Sequence, residues 1–144
     1  MTLVTPTLNQ SELSQLGSRL ERVLPVLGEG DELVVSDWGV VDLVRSIQPD
    51  LTLIVGRALS AQKRDPRIES LELNTAEHEY FRNSAWNSLS AAELLIELGI
   101  GRVELDNLLQ GIAPLPEPLK GSLHLPFAMV TSTRNCPFRS THHN

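Results

Sequence analysis

Residues with binding chemistry stand directly after short apolar runs in this sequence. Asp37-Trp38 follows Glu32-Leu33-Val34-Val35-Ser36, Arg57 follows a run ending at Gly56, and Asp106-Asn107 follows Arg102-Val103-Glu104-Leu105. Thr5 closes an initial Leu3-Val4 run, and Thr131, Ser132, Thr133, Arg134 and Asn135 follow the last apolar stretch. Past Arg57 come Lys63, Arg64 and Arg67, with Asp65 the only acid among them. Guanidinium groups grip carboxylate and phosphate as planar forks. Arg57, Lys63, Arg64, Arg67 and Arg134 are therefore candidate anion ligands, with Asp37, Trp38, Asp106 and Asn107 shaping a polar floor. An arginine that ends a buried strand needs an anionic partner or a ligand.

Each residue also has a structural reading. Asp37 before Trp38 suits a helix N-cap, and Asp106 suits the cap of a short turn. The loop bases read equally as solvated charges balanced by Glu69, Glu72, Glu77 and Glu79. Packing accounts for Trp38 and Trp86 without a stacked ligand. His78 and His124 have no neighbours at ligand spacing and read as surface or internally satisfied residues. Cys136 with His142 and His143 has the residue types of a Cys–His nucleophile, but these residues fall in a stretch that reads as a frayed end. A nucleophile elbow, a paired-histidine zinc helix, a phosphate loop and a dinucleotide glycine fingerprint are all missing.

The elements that must position these groups alternate. Asn9 and Glu12 form a capping-box pattern ahead of Leu13, Leu16, Leu20, Val23, Leu24 and Leu27 at helical spacing, with Gly28 as the stop. Glu32–Asp37 reads as a buried strand and Trp38–Arg45 as a helix that Pro49 must end. Leu51–Gly56 is the next strand, and residues 57–75, polar and aperiodic, read as a long loop. Ala91–Leu98 reads as a helix boxed by Ser90 and Glu93, and Arg102–Asp106 as a strand. Pro114, Pro116 and Pro118 make a stiff connector before a last strand near Leu123–Thr131. Alternation of this kind predicts a parallel sheet with helical crossovers. A complete eight-fold barrel takes about 250 residues. The expected fold is therefore a single α/β domain over 1–144, built as a partial TIM-barrel-like (βα) repeat, with a small open parallel sheet as the alternative.

Composition narrows the classes. The 144 residues carry a formal net charge of −6 and one cysteine. Acidity argues against nonspecific nucleic-acid binding, which needs a cationic surface. One cysteine excludes a disulfide framework and cannot alone build a zinc or iron–sulfur site. No apolar run reaches the length of a membrane span, and the N-terminus lacks the layout of a signal peptide, so a cytoplasmic protein is expected.

Longer segments add a resemblance. Glu32–Val40, Leu53–Leu59 with Gln62-Lys63-Arg64-Asp65-Pro66-Arg67-Ile68, Glu97–Asn107 and Thr131–Phe138 together resemble the collagenase-like peptidase family U32. The closest likeness is to its branch containing proteins of oxygen-independent ubiquinone biosynthesis. The likeness covers most of 30–138 in order. Ser-Asp-Trp-Gly and Gln-Lys-Arg-Asp-Pro-Arg are its more specific pieces. It implies a TIM-barrel-like scaffold and, as in several members, an iron–sulfur cluster whose first cysteine stands in a segment like Arg134-Asn135-Cys136-Pro137. Cys136 is then a single candidate ligand, and the other thiolates must come from outside this chain. A truncated or partial member is expected, acting as a binding or accessory subunit that takes a small anion. A second copy or a partner protein would complete the barrel. The alternative is an enzyme, a peptidase or an iron–sulfur-dependent modifier, that needs the missing half.

Overall fold

A computed structural model describes residues 1–127. The expectations for Arg134, Cys136, His142, His143 and the 131–135 run lie outside the described residues.

The apolar runs form five strands: β1 (Thr2–Val4), β2 (Glu32–Val35), β3 (Thr52–Val55), β4 (Arg102–Asn107) and β5 (Lys120–Phe127). All pair in parallel and in chain order. Chain-order parallel pairing with a crossover after every strand is the construction of a (βα) barrel. Here it makes a curled, open half-barrel with helices between strands, the partial barrel that the alternation predicts.

Side chains alternate across a strand, and the registers align them into rows. Leu33, Val35, Leu53, Val55, Val103 and Leu105 face the helices and share one core with Leu24, Val40, Val44 and Leu95. The other face is more polar. Thr2, Glu32 and Thr52 stand in one row, as do Arg102 and Lys120, and Asp106 is level with His124.

Helix α1 (Gln10–Val23) opens with the predicted box: Asn9 accepts from the Ser11 and Glu12 amides at 3.1 Å, and Glu12 accepts from the Asn9 amide at 2.8 Å. Helix α2 (Trp38–Ile47) buries Val40, Val41 and Val44 and stops two residues before Pro49. Helix α3 (Thr75–Arg82) and helix α4 (Leu89–Glu97) both lie in the β3–β4 crossover.

Three local expectations fail. Ser90 and Glu93 form no capping box, because α4 starts earlier, at Leu89. Ser84 and Asn87 already turn the chain through a box of their own around buried Trp86. Residues 57–75 are not a structureless loop: 3-10 turns at Arg57–Leu59 and Pro66–Ser70 order them, and α3 follows. The second turn is capped by the Asp65 side chain and α3 by Asn74, local side-chain bonds rather than an apolar period, which is why periodicity overlooks them. Strand β5 begins at Lys120, since ladder pairing with Arg102 extends it across polar Lys120 and Ser122. The β4–β5 crossover, 108–119, has no helix; its prolines remove amide donors, and turns close at Leu108–Gly111 and Pro116–Leu119.

Candidate functional site

The carboxyl ends of β3 and β4 hold a buried polar cluster. Gly56 starts it. A Cβ there would lie 3.0 Å from both Ser36 Oγ and Val34 Cγ1 and 3.1 Å from Val35 O, so a side chain at this position would press on β2 where glycine fits freely. The chain then turns at once into Arg57–Leu59, which throws Arg57 across the end of β4.

Asp106 is the centre. Its side chain is only 4% exposed; Arg57 Nη1 donates to Oδ1 at 2.7 Å, and Arg64 Nε donates to Oδ2. Burial pushes the Asp106 carboxyl up, but the hydrogen bonds and charges of Arg57 and Arg64 outweigh it and hold the group below its ordinary value. Arg64 also donates through Nη2 to Arg57 O at 2.8 Å and to Ser60 Oγ at 3.0 Å. Ser60, fully buried, donates to Arg57 O at 2.8 Å.

Gln62 completes the frame. Strand β3 pairs with β4 only at Ile54–Arg102 and Val55–Val103, which leaves the main chain of Asp106 beyond its reach. The buried Gln62 amide takes over: Oε1 accepts from the Asp106 N–H at 2.8 Å, and Nε2 donates to the Asp106 carbonyl at 3.0 Å. A side chain thus continues the sheet ladder for one residue and fixes the carboxylate's backbone.

The other predicted residues separate from this cluster. Asp37 is an N-cap, accepting from the Gly39 amide at 2.8 Å. Trp38 lies edge-on to Trp86 with ring centres 6.0 Å apart, a packing contact. Lys63 donates to Asn83 O at 3.1 Å and sits 4.3 Å from the centre of the Tyr80 ring, a cation–π contact. Arg67 is exposed and bound to Asp65, whose pKa that hydrogen bond lowers to about 2. Asn107 follows Asp106 at an irregularity of the β4–β5 ladder. His124 Nε2 lies 3.1 Å from Glu104 Oε1, an internal partner.

Two readings need correction. Asp106 caps no turn; it is a buried counter-ion, because the 57–64 turns bring two guanidiniums onto it. Nor do the loop glutamates balance Arg64, which goes to Asp106, while Glu79 pairs with Arg82 instead. Ser60 and Gln62 were not singled out as site residues. A buried hydroxyl or amide has no periodic signature, and Gln62 was visible only as part of the Gln-Lys-Arg-Asp-Pro-Arg segment.

Chemically, two guanidiniums on one carboxylate leave that cluster net positive. Arg64 is spent on three acceptors. Arg57 is 48% exposed, and among the described residues its only side-chain bond is through Nη1. No group of three or more His, Cys, Asp or Glu is placed to hold a metal among the described residues. A four-thiolate cluster does not fit the residues of this sequence alone, which holds one cysteine. No helix among the described residues is long and apolar enough to cross a membrane. Comparison with protein-family models, curated proteins and solved structures finds no match to this chain.

Proposed function

We propose that the chain is a binding or accessory module of the kind its resemblance to the U32 family suggests, taking a small carboxylate or phosphate anion at the carboxyl end of its half-barrel. A partner chain completes the barrel over that rim. The observation that carries this reading is the half-exposed Arg57 fork, pinned at Nη1 by a buried carboxylate and, among the described residues, bonded through no other nitrogen. Pinning one nitrogen fixes the plane of the guanidinium, so an incoming anion meets donors already oriented and pays little ordering entropy. Position agrees: ligand groups of parallel α/β folds gather at the carboxyl ends of the strands.

The test is calorimetric titration of the full chain with inorganic phosphate and, separately, citrate. Saturable binding of one of them is expected, weakened about tenfold or more in Arg57→Gln, because a charge-assisted bond is lost. If neither anion binds saturably, or Arg57→Gln binds as tightly as the parent, the reading fails.

A further inference from the structure

In a (βα) repeat, each crossover helix packs beside the next. The β4–β5 crossover supplies no helix, so among the described residues the flank of α4 turned toward it is left uncovered. A groove of about 390 Å³ runs there between α4 and the proline connector, floored by Leu89, Ala92, Ile96, Pro116 and Pro118. Leu89 is 70% exposed. Leu89, Glu93, Ile96 and Glu97 follow helical spacing and form one stripe. Glu117 adds a third carboxylate across the groove. None of these three acids has a salt-bridge partner among the described residues.

The complementary pattern occurs on the same chain. Arg19, Arg22 and Val23 of α1, followed by Val26 in the 3-10 turn Leu24–Val26, recur at i, i+3, i+4 and i+7 and are all exposed. Val26 is 76% exposed. An apolar groove rimmed by acids thus has, on another surface of the same molecule, an apolar ridge rimmed by bases.

We infer that the α4–connector groove is a self-association site, occupied by the Arg19-Arg22-Val23-Val26 stripe of a second copy. The valines fill the place of the missing crossover helix, and the arginines meet Glu93, Glu97 and Glu117. Charge complementarity selects this occupant. The chain as a whole carries −6, so two copies repel in general and attract only where opposite patches meet. The groove and the ridge are different surfaces, so the contact is heterologous. It is separate from the anion rim and does not depend on Arg57.

The experiment is sedimentation velocity on the full chain across a concentration and salt series. The parent should associate, more weakly at high salt because the pairs are screened. Two reversed variants, Arg19→Glu with Arg22→Glu and Glu93→Lys with Glu97→Lys, should each weaken association about tenfold or more, like charges then facing one another. An equimolar mixture of the two should associate again, since one reversed face meets the other. Circular dichroism confirms that both variants fold. A parent that stays monomeric to ~100 µM, well above the range of specific complexes, overturns the inference. So does association that both reversals leave unchanged, or a mixture that fails to reassociate.

Discussion

Arginines stitch both ends of this sheet, and they do it differently. At the amino end, Arg102 at the start of β4 pairs with the partly exposed Glu32 of β2. Arg45, among the described residues, hydrogen-bonds main-chain carbonyls: Pro49 O, Leu51 O at 2.9 Å, Leu98 O at 3.1 Å and Gly99 O at 3.5 Å. These acceptors belong to the segments leaving α2 and α4, where a cation also suits the helix dipoles. At the carboxyl end, Arg57 and Arg64 meet a buried carboxylate, and Arg57 keeps one edge outside. Neutral carbonyls accept the Arg45 hydrogen bonds without carrying an opposing charge. A carboxylate gives a charged device with a titration of its own and donors to spare. In barrel folds the amino end of the strands serves stability and the carboxyl end serves ligands. Arg45, bonded to neutral carbonyls, and Arg57, half exposed on a buried carboxylate, differ in the direction that division describes, although the amino end also carries the Arg102–Glu32 charge pair.

The largest effect is expected from Asp106→Ala. It strips the partner from two guanidiniums, one of them mostly buried, while Gln62 still holds the backbone. Removing one side of a buried charge pair costs about 3–5 kcal/mol. The exposure of Arg57 to water puts this case at about 3 kcal/mol. Urea unfolding measures it, and a loss under about 1 kcal/mol would mean that water replaces the carboxylate. Arg45→Met should cost less, about 1–2 kcal/mol, because its acceptors are neutral and partly hydrated. It should leave phosphate affinity unchanged. Arg45→Lys should recover little of the loss, since one ammonium cannot span carbonyls at the ends of two helices. If Arg45→Met abolished anion binding, the two ends would not be independent.

Acid separates the ends more finely. The folded pKa of Asp106 lies below its ordinary 3.8, held there by Arg57 and Arg64 against the effect of burial. Its contribution is therefore complete above the unfolded pKa and disappears as pH falls through the folded one. Parent stability should drop in that window, and Asp106→Asn should show a flatter profile there. Arg45→Met should keep the parent's slope on a lower baseline. Unfolding midpoints from pH 7 down to pH 2 make the comparison, and parallel profiles for the parent and Asp106→Asn would overturn it.

The division of labour was only partly legible in the residues themselves. Parallel pairing and a partial-barrel architecture followed from apolar runs of strand length separated by helices, signals that local chemistry writes directly into sequence. Arg57 and Asp106 were found for the same reason, each standing where a run ends. That they bind each other was not legible, because it depends on the turn that Gly56 permits and on ladder pairing that brings two strand ends level. Arg45 was hidden more completely. It sits inside a helical run, and its acceptors are backbone atoms that any sequence would supply. Gln62 was hidden likewise, since its partners are the amide and carbonyl of Asp106.

The smallest effect tests the edge of the carboxyl-end device. Arg67 belongs to the same basic run as Arg64 and carries the same charge, so sequence pattern alone cannot part them. Geometry does: Arg64 closes on buried Asp106, whereas Arg67 closes on Asp65 in open solvent. An exposed pair between residues two apart gains little in water and pays to order two side chains. Arg67→Ala should therefore leave the urea midpoint unshifted, although the Asp65 carboxyl, now near 2, should titrate higher by NMR once its hydrogen-bond donor is gone. Phosphate affinity should stay within about twofold of the parent, as expected for a charge outside the binding fork and screened by salt. A drop as large as that of Arg57→Gln would place Arg67 on the ligand, and the site would then extend along the 3-10 turn rather than ending at Asp106.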